Sequence, residues 1–154
     1  MEKIGIIGNG FVGNAIYQGM KEHFDILVYD KDPRKKINTF ARVSEVEIIF
    51  ICVPTPMTEE GAFDLSIVKE TVNMLPSNKT LIIKSTITPR AAEMLIEKFP
   101  NQNFVFNPEF LTERAAKLEF INTARIVIGS NKEENNDVVE SLYRIRFPHT
   151  QIIK

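Results

Sequence analysis

The stretch GIIGNGFVGNAIYQ, residues 5–18, decides how the rest of the chain is read. It joins an apolar β-type run, Lys3–Ile7, to Gly8-Asn9-Gly10-Phe11-Val12-Gly13 and then to a helical stretch, Val12–Lys21. Strand, G-x-G-x-x-G and helix, in that order, form the context in which a dinucleotide fingerprint has physical meaning. The first glycine permits the tight turn, the second lets a pyrophosphate approach the backbone, and the third lets helix and strand pack closely. The anion then rests on the free N–H groups and positive dipole end of the helix. A merely structural glycine bend is the competing reading, and the next element weighs against it. A second strand, Asp25–Tyr29, runs into Asp30, where an acid meets the adenosine ribose of such a cofactor. Asp30 favours NAD, because a carboxylate repels a 2′-phosphate. Lys31, Arg34, Lys35 and Lys36 follow at once, so charge alone leaves NADP open. That basic run is either a solvated loop or, at Lys35, a second ribose contact.

The same alternation continues along the chain. Further strands are predicted at Glu47–Val53, Thr80–Lys84, Phe104–Phe106, Arg125–Ile128 and Gln151–Ile153. Runs such as IIFICV and LIIK are continuously apolar, which suits strands buried on both faces of a parallel sheet. Helices are predicted at Asp64–Leu75, Pro89–Phe99, Leu111–Phe120 and Glu133–Arg144; only Asp30–Ser44 has a weak pattern. Thr88-Pro89 reads as a cap followed by proline at the first helical position. The predicted fold is α/β, a doubly wound, mostly parallel, Rossmann-like sheet in a single domain over residues 1–154.

With 154 residues, 44% apolar and 25% charged, the chain can bury one real core. A net charge of −1 argues against a general nucleic-acid or membrane surface. No apolar run approaches membrane-spanning length, and the charged start runs straight into a strand, unlike a signal peptide. The single cysteine, Cys52, excludes an internal disulfide, and a cytoplasmic setting is expected. Lying inside IIFICV, Cys52 is expected to be a small core hydrophobe and not a nucleophile. His23 and His149 follow no metal-ligand spacing, so no metal is expected.

Three stretches fall at carboxyl ends of predicted strands, where ligands bind in such sheets: Val53-Pro54-Thr55-Pro56, Lys84-Ser85-Thr86 and Asn107-Pro108-Glu109-Phe110-Leu111. Thr86 and Glu109 place a hydroxyl and a carboxylate there, groups that can move a proton directly or through water. Other readings stand beside this one. Glu109 could be a helix-start acid, Thr86 a helix cap, and Pro54 and Pro56 strand terminators.

Together with GNGFVG, Asp30, Asp64-Leu65-Ser66 and RIVIG at 125–129, these motifs resemble the NAD-binding domain of the UDP-glucose dehydrogenase family. The wider family also oxidises UDP-N-acetylmannosamine and GDP-mannose. The resemblance implies that Gly8, Asn9, Gly10, Phe11, Val12 and Gly13 hold the pyrophosphate of NAD, and Asp30 and Lys35 its adenosine ribose. It implies that Val53, Pro54 and Thr55 line the cofactor cleft and that Ser85 is a further cofactor contact. Thr86 and Glu109 would flank the sugar C6 and an ordered water, as the catalytic pair. Phe110 and Leu111 would touch a nucleotide-sugar substrate, expected to be a UDP-sugar, and Glu113 would touch both cofactor and substrate.

Family members continue into a central helical domain and a C-terminal domain that supply the reactive thiol and most of the uridine site, for which no counterpart stands here. The expectation is a chain that binds NAD but oxidises little alone, completed by homo-oligomerisation or a partner chain. Leu142, Tyr143 and Phe147 are expected as apolar patches that drive association. Arg114 takes the place of a small family residue and is expected to face solvent. The segment from Asp30 to Val53 is also shorter than in typical members. A free-standing binding module, such as a sensor, is the alternative function. A small 2-hydroxy-acid-type dehydrogenase ranks last, for want of a second domain to exclude water.

Overall fold

A computed structural model of the chain describes residues 1–154. The chain runs β1 (Lys3–Ile7), α1 (Phe11–Met20), β2 (Asp25–Tyr29), α2 (Phe40–Ser44), β3 (Ile48–Ile51), α3 (Ser66–Asn73), β4 (Thr80–Ile83), α4 (Pro89–Lys98) and β5 (Asn103–Phe106). It continues with α5 (Ala116–Ile121), β6 (Arg125–Val127), α6 (Glu133–Arg146) and β7 (Gln151–Ile153). Five strands form one parallel sheet in the order β2-β1-β3-β4-β5. The connections leave β1 in one direction and β3 in the other, so the sheet has its topological switch point between β1 and β3.

The continuous apolar runs serve two cores because successive strand residues point to opposite faces. Ile4 and Ile6, Ile48 and Phe50, Ile82 and Val105 join Ile16 and Met20 of α1, Phe120 of α5 and Tyr143 of α6 in one core. Ile7, Ile49, Ile51, Leu81, Ile83 and Phe104 join Val43 of α2, Val72 of α3 and Leu95 of α4 in the other. Helices thus cover both faces, as a doubly wound sheet requires.

Where the structure departs from the sequence prediction, local chemistry gives the reason. The weakly patterned segment after Asp30 forms the short helix α2, capped by the Thr39 side chain, and its one buried residue is Val43. Five residues are too few to show a helical period. The edge strand β2 is covered from the same segment. The Asn38 N–H donates to the Val28 carbonyl at 2.7 Å, and the Val28 N–H donates to Asn38 Oδ1 at 2.8 Å. An asparagine side chain thereby stands in for part of a missing strand at an exposed edge.

Helix α5 begins at Ala116, not at Leu111. Side chains hold the intervening backbone out of the helix, with the Leu111 N–H on Glu109 Oε2 at 2.6 Å and the Thr112 N–H on the Glu119 carboxylate. Strands β6 and β7 pair in parallel only with each other, and reach the main sheet through one antiparallel bridge between Phe106 and Gly129. Leu142, Tyr143 and Phe147, expected on the surface, are all buried in the core beneath α6. Their apolar spacing marks the inner face of that helix and no association patch.

The entry from β1 to α1 is built on close backbone approach. A methyl group at Gly13 would lie 1.9 Å from the Gly8 carbonyl oxygen, and one at Gly8 would lie 2.6 Å from the Cys52 carbonyl oxygen. A methyl group at Gly10 would meet nothing within 4 Å. Gly13→Ala is therefore expected to cost about 3 kcal/mol or more of stability, at or above the usual range for overpacking. Gly10→Ala is expected to stay within about 1 kcal/mol. Urea denaturation of the two variants measures both.

Candidate functional site

The turn after β1 leaves the start of α1 without internal partners. Gly10 is the cap residue and supplies no side-chain bond, and the first intrahelical N–H to find an acceptor is Asn14, on the Gly10 carbonyl at 2.9 Å. The N–H groups of Phe11, Val12 and Gly13 therefore face outward with the positive end of the helix dipole, as an anion site needs. Asp30 holds this turn from the end of β2. Its carboxylate accepts the Asn9 N–H at 2.6 Å and the Asp32 N–H at 2.8 Å. The Asn9 Nδ2 donates to the Lys35 carbonyl at 2.7 Å, which fixes the amide orientation. Asn9 Oδ1 is then a buried acceptor with no partner, a place a ligand hydroxyl can satisfy. Arg34 is tied to Asp32 at 2.7 Å in solvent, so the basic run offers Lys35, not Arg34, to the site.

A cleft of about 530 Å³ opens above the carboxyl ends of the strands. Asp30 and Lys35 line one end, Gly8, Gly10, Phe11 and Val12 the middle, and Lys84, Ser85, Thr86 and Glu109 the other end. Val53, Pro54 and Thr55 form the β3 side. Side-chain hydroxyls stitch this wall together. Ser85 Oγ donates to the Val53 carbonyl at 2.6 Å, and Thr55 Oγ1 donates to the Thr86 carbonyl at 2.7 Å. Thr86 does not cap α4; Thr88 does, accepting the Ala91 N–H at 3.2 Å. With α5 starting at Ala116, Glu109 is not a helix-start acid either.

Beyond Glu109 lies a second cavity of about 580 Å³, lined by Asn107, Glu109, Phe110, Leu111, Arg125 and Tyr143 among others. Phe110 is exposed there, under the Arg125 guanidinium at 5.4 Å. Glu113 is exposed in the turn before α5 and borders neither cavity. Arg114 is exposed beside it. Cys52 lies one residue past β3, half-buried on the cleft floor and not inside the strand. Burial pushes its thiol up to about 12, so it is a neutral group.

Sequence reasoning gave Lys84 no role of its own. Its side chain packs on the α6 side of the sheet, 6% exposed, and Nζ donates to Asn107 Oδ1 at 3.3 Å. Tyr143 Oη donates to the same oxygen at 2.5 Å, and Asn107 Nδ2 donates to the Val127 carbonyl at 2.6 Å. Desolvation lowers the Lys84 ammonium to about 8, partly opposed by Cys52 and Glu109. The available signal was a lysine directly after LII, at the carboxyl end of a buried strand.

Free backbone donors, an open space at Gly10, an orphan acceptor and a flanking carboxylate fit a dinucleotide across the switch point, and the chain has the build of a dinucleotide-binding domain. Residues 36–146 match the model of the UDP-glucose/GDP-mannose dehydrogenase family, NAD binding domain. The chain belongs to that family, and its cofactor is NAD. It is similar to UDP-glucose 6-dehydrogenase of Rickettsia bellii, 36% identical over 120 residues, covering 71% of this chain and 28% of that relative. The chain thus spans under a third of the length of that curated relative. In fold it is similar to a UDP-glucose dehydrogenase from the hyperthermophilic archaeon Pyrobaculum islandicum, with a TM-score of 0.80 and 19% identity over all of this chain and 46% of that one. A GDP-mannose dehydrogenase from Pseudomonas aeruginosa gives a TM-score of 0.81 and 20% identity, covering 97% of this chain and 45% of that one.

Two outcomes test the electrostatics. At pH 8 the Cys52 thiol is expected to react with an aromatic disulfide reagent at least about a hundredfold more slowly in the native than in the denatured chain. For Lys84 the folded value lies below the unfolded one, so the unfolded chain binds more protons between the two, and stability rises as pH climbs from about 8 toward 10.5. Lys84→Met is expected to be more stable than the parent at pH 7, with the gap closing over that range in urea titrations.

Proposed function

We propose that the chain is the cofactor-holding part of a nucleotide-sugar 6-dehydrogenase acting on a UDP-sugar. The observation that carries this reading is the position of Glu109 on the wall between the dinucleotide cleft and the second cavity. An alcohol carbon held at that wall would face the cofactor on one side and a carboxylate on the other. Bound NAD supplies the hydride acceptor. The protein's own groups do the rest: Phe11–Gly13 N–H groups hold the pyrophosphate, and Asp30, Lys35 and Asn9 Oδ1 hold the adenosine ribose. Val53, Pro54, Thr55 and Ser85 shape the cleft.

Glu109, oriented by its bond from the Leu111 N–H, accepts the hydroxyl proton through a water that Thr86 helps to place. Phe110 and Leu111 meet the sugar nucleotide. Glu113 reaches cofactor and substrate only if the turn before α5 closes over them. Cys52 is too inert to serve as the nucleophile of a second oxidation step. We therefore assign that step, and the rest of the uridine site, to polypeptide beyond this chain, carried by a partner or by further segments. As fits a single reduced thiol, we place the protein in the cytoplasm.

Calorimetric titration with NAD is the direct test. The parent chain is expected to bind in the micromolar to millimolar range, and Asp30→Ala to bind at least about tenfold more weakly, having lost both the ribose contact and the tie to Asn9. No heat at millimolar NAD would sink the reading. In the enzyme completed by the missing segments, Glu109→Gln is expected to lower kcat about a hundredfold or more while leaving NAD affinity within about threefold.

A further inference from the structure

We propose that Lys84 determines redox-form specificity: its buried ammonium makes the site hold the reduced, uncharged nicotinamide more tightly than the oxidised, cationic one. This inference rests on the reading of the cleft as a dinucleotide site.

Placement is the first support. Neighbouring strands lie about 4.8 Å apart, so in the order β2-β1-β3-β4-β5 the end of β4 stands roughly 14 Å from the end of β2. With the adenosine half beside Asp30 behind β2 and the pyrophosphate on α1, the other half of an extended dinucleotide runs over β3 toward β4. It ends among Lys84, Thr86 and Glu109. Lys84 and Glu109 are the two residues that border this cleft, the second cavity and the smaller one between them.

The second support is the state of the charge. Lys84 has three donors and one protein acceptor, Asn107 Oδ1, which Tyr143 also uses. No carboxylate lies within ion-pair distance of it. Asn107 and Tyr143 are themselves buried, so the ammonium is held in place. The titratable groups facing it are the Cys52 thiol from the end of β3, the Tyr143 phenol from α6 and Glu109 from beyond β5. Burial keeps the thiol and the phenol neutral. Glu109 is thus the one anion that tempers the field, and repulsion of a second cation is strong where water is scarce.

The consequence is chemical. A site that binds the reduced form more tightly raises the potential of its bound two-electron couple by about 30 mV for each tenfold of preference. The cofactor becomes a better hydride acceptor, in the direction that alcohol oxidation needs. Because Lys84 titrates near pH 8, the preference is full well below that pH and fades above it, and NAD⁺ binding near pH 8 expels a proton.

The experiment titrates the chain separately with NAD⁺, NADH and ADP-ribose at pH 6.5 and 9.5, for the parent, Lys84→Met and Lys84→Arg. The NADH-to-NAD⁺ affinity ratio cancels every effect on the shared adenosine diphosphate part. The parent is expected to favour NADH about tenfold or more at pH 6.5 and to approach parity at pH 9.5. Lys84→Met is expected near parity at both, with ADP-ribose affinity unchanged, and Lys84→Arg to keep the preference at both. A methionine variant that retains the parent's ratio and its pH dependence overturns the proposal. Should that variant fail to bind ADP-ribose, the arginine variant decides, and loss of its preference at pH 9.5 overturns the proposal. Equal binding of both forms by the parent at pH 6.5 refutes this inference alone. Failure of the parent to bind any of the three refutes the dinucleotide reading beneath it.

Discussion

At Gly13 the backbone of α1 lies against the carbonyl of Gly8, with no room for even a methyl group between them. The rest of the site depends on that contact. It sets the axis of α1 so that the helix starts above the carboxyl edge of the sheet, with its unpaired N–H groups turned toward the cleft. It also brings the turn against the Cys52 carbonyl, which fixes where the β1 and β3 loops diverge. Two glycines thus set this geometry through the side chains they lack. The core supplies the stability, and the glycines decide what that stability holds in place.

The cleft is then preorganised by polar bonds between loops. Asp30 is engaged by two backbone N–H groups, Ser85 by the Val53 carbonyl and Thr55 by the Thr86 carbonyl. The Asn9 bond ties the loop after β2 to that after β1, the Ser85 and Thr55 bonds tie the loops after β3 and β4, and the Asp32 bond closes the loop after β2 on itself. Loops at strand ends are the mobile part of such folds, and fixing them in advance lowers the ordering entropy that a ligand would otherwise have to overcome. Asp30 thus pins the glycine turn after β1 through Asn9, and on the proposed function it is the ribose partner as well, so its removal would disturb both.

Lys84 illustrates the opposite tendency. An ammonium with one hydrogen bond and no counter-ion is an unfavourable thing to bury, and its lowered proton affinity is the signature of that cost. The fold tolerates it next to the one carboxylate, Glu109, that also borders both large cavities. Strain of this kind collects at functional sites, where the stability it costs is offset elsewhere in the core.

By itself the sequence determined the alternating order, the doubly wound class, the glycine turn between β1 and α1 and the strand ends that carry the motifs. Each of these follows from local rules: apolar runs, glycine spacing, capping residues and proline positions act over a few neighbouring residues. The tertiary structure alone decided the start of α5, the Asn38 edge clamp and the separation of β6 and β7 from the main sheet. It also turned Leu142, Tyr143 and Phe147 inward, drew Cys52 to the cleft floor, left Glu113 outside both cavities and made Lys84 a buried cation. The α5 start and the Asn38 clamp rest on side-chain bonds to backbone N–H groups two to ten residues away, which no apolar period reports, and the buried side chains depend on partners far along the chain. Asn107 meets Lys84 and Tyr143 across 23 and 36 residues. Burial, desolvation and long-range hydrogen bonding are properties of what surrounds a side chain, and that environment exists only once the sheet has closed and its helices have docked.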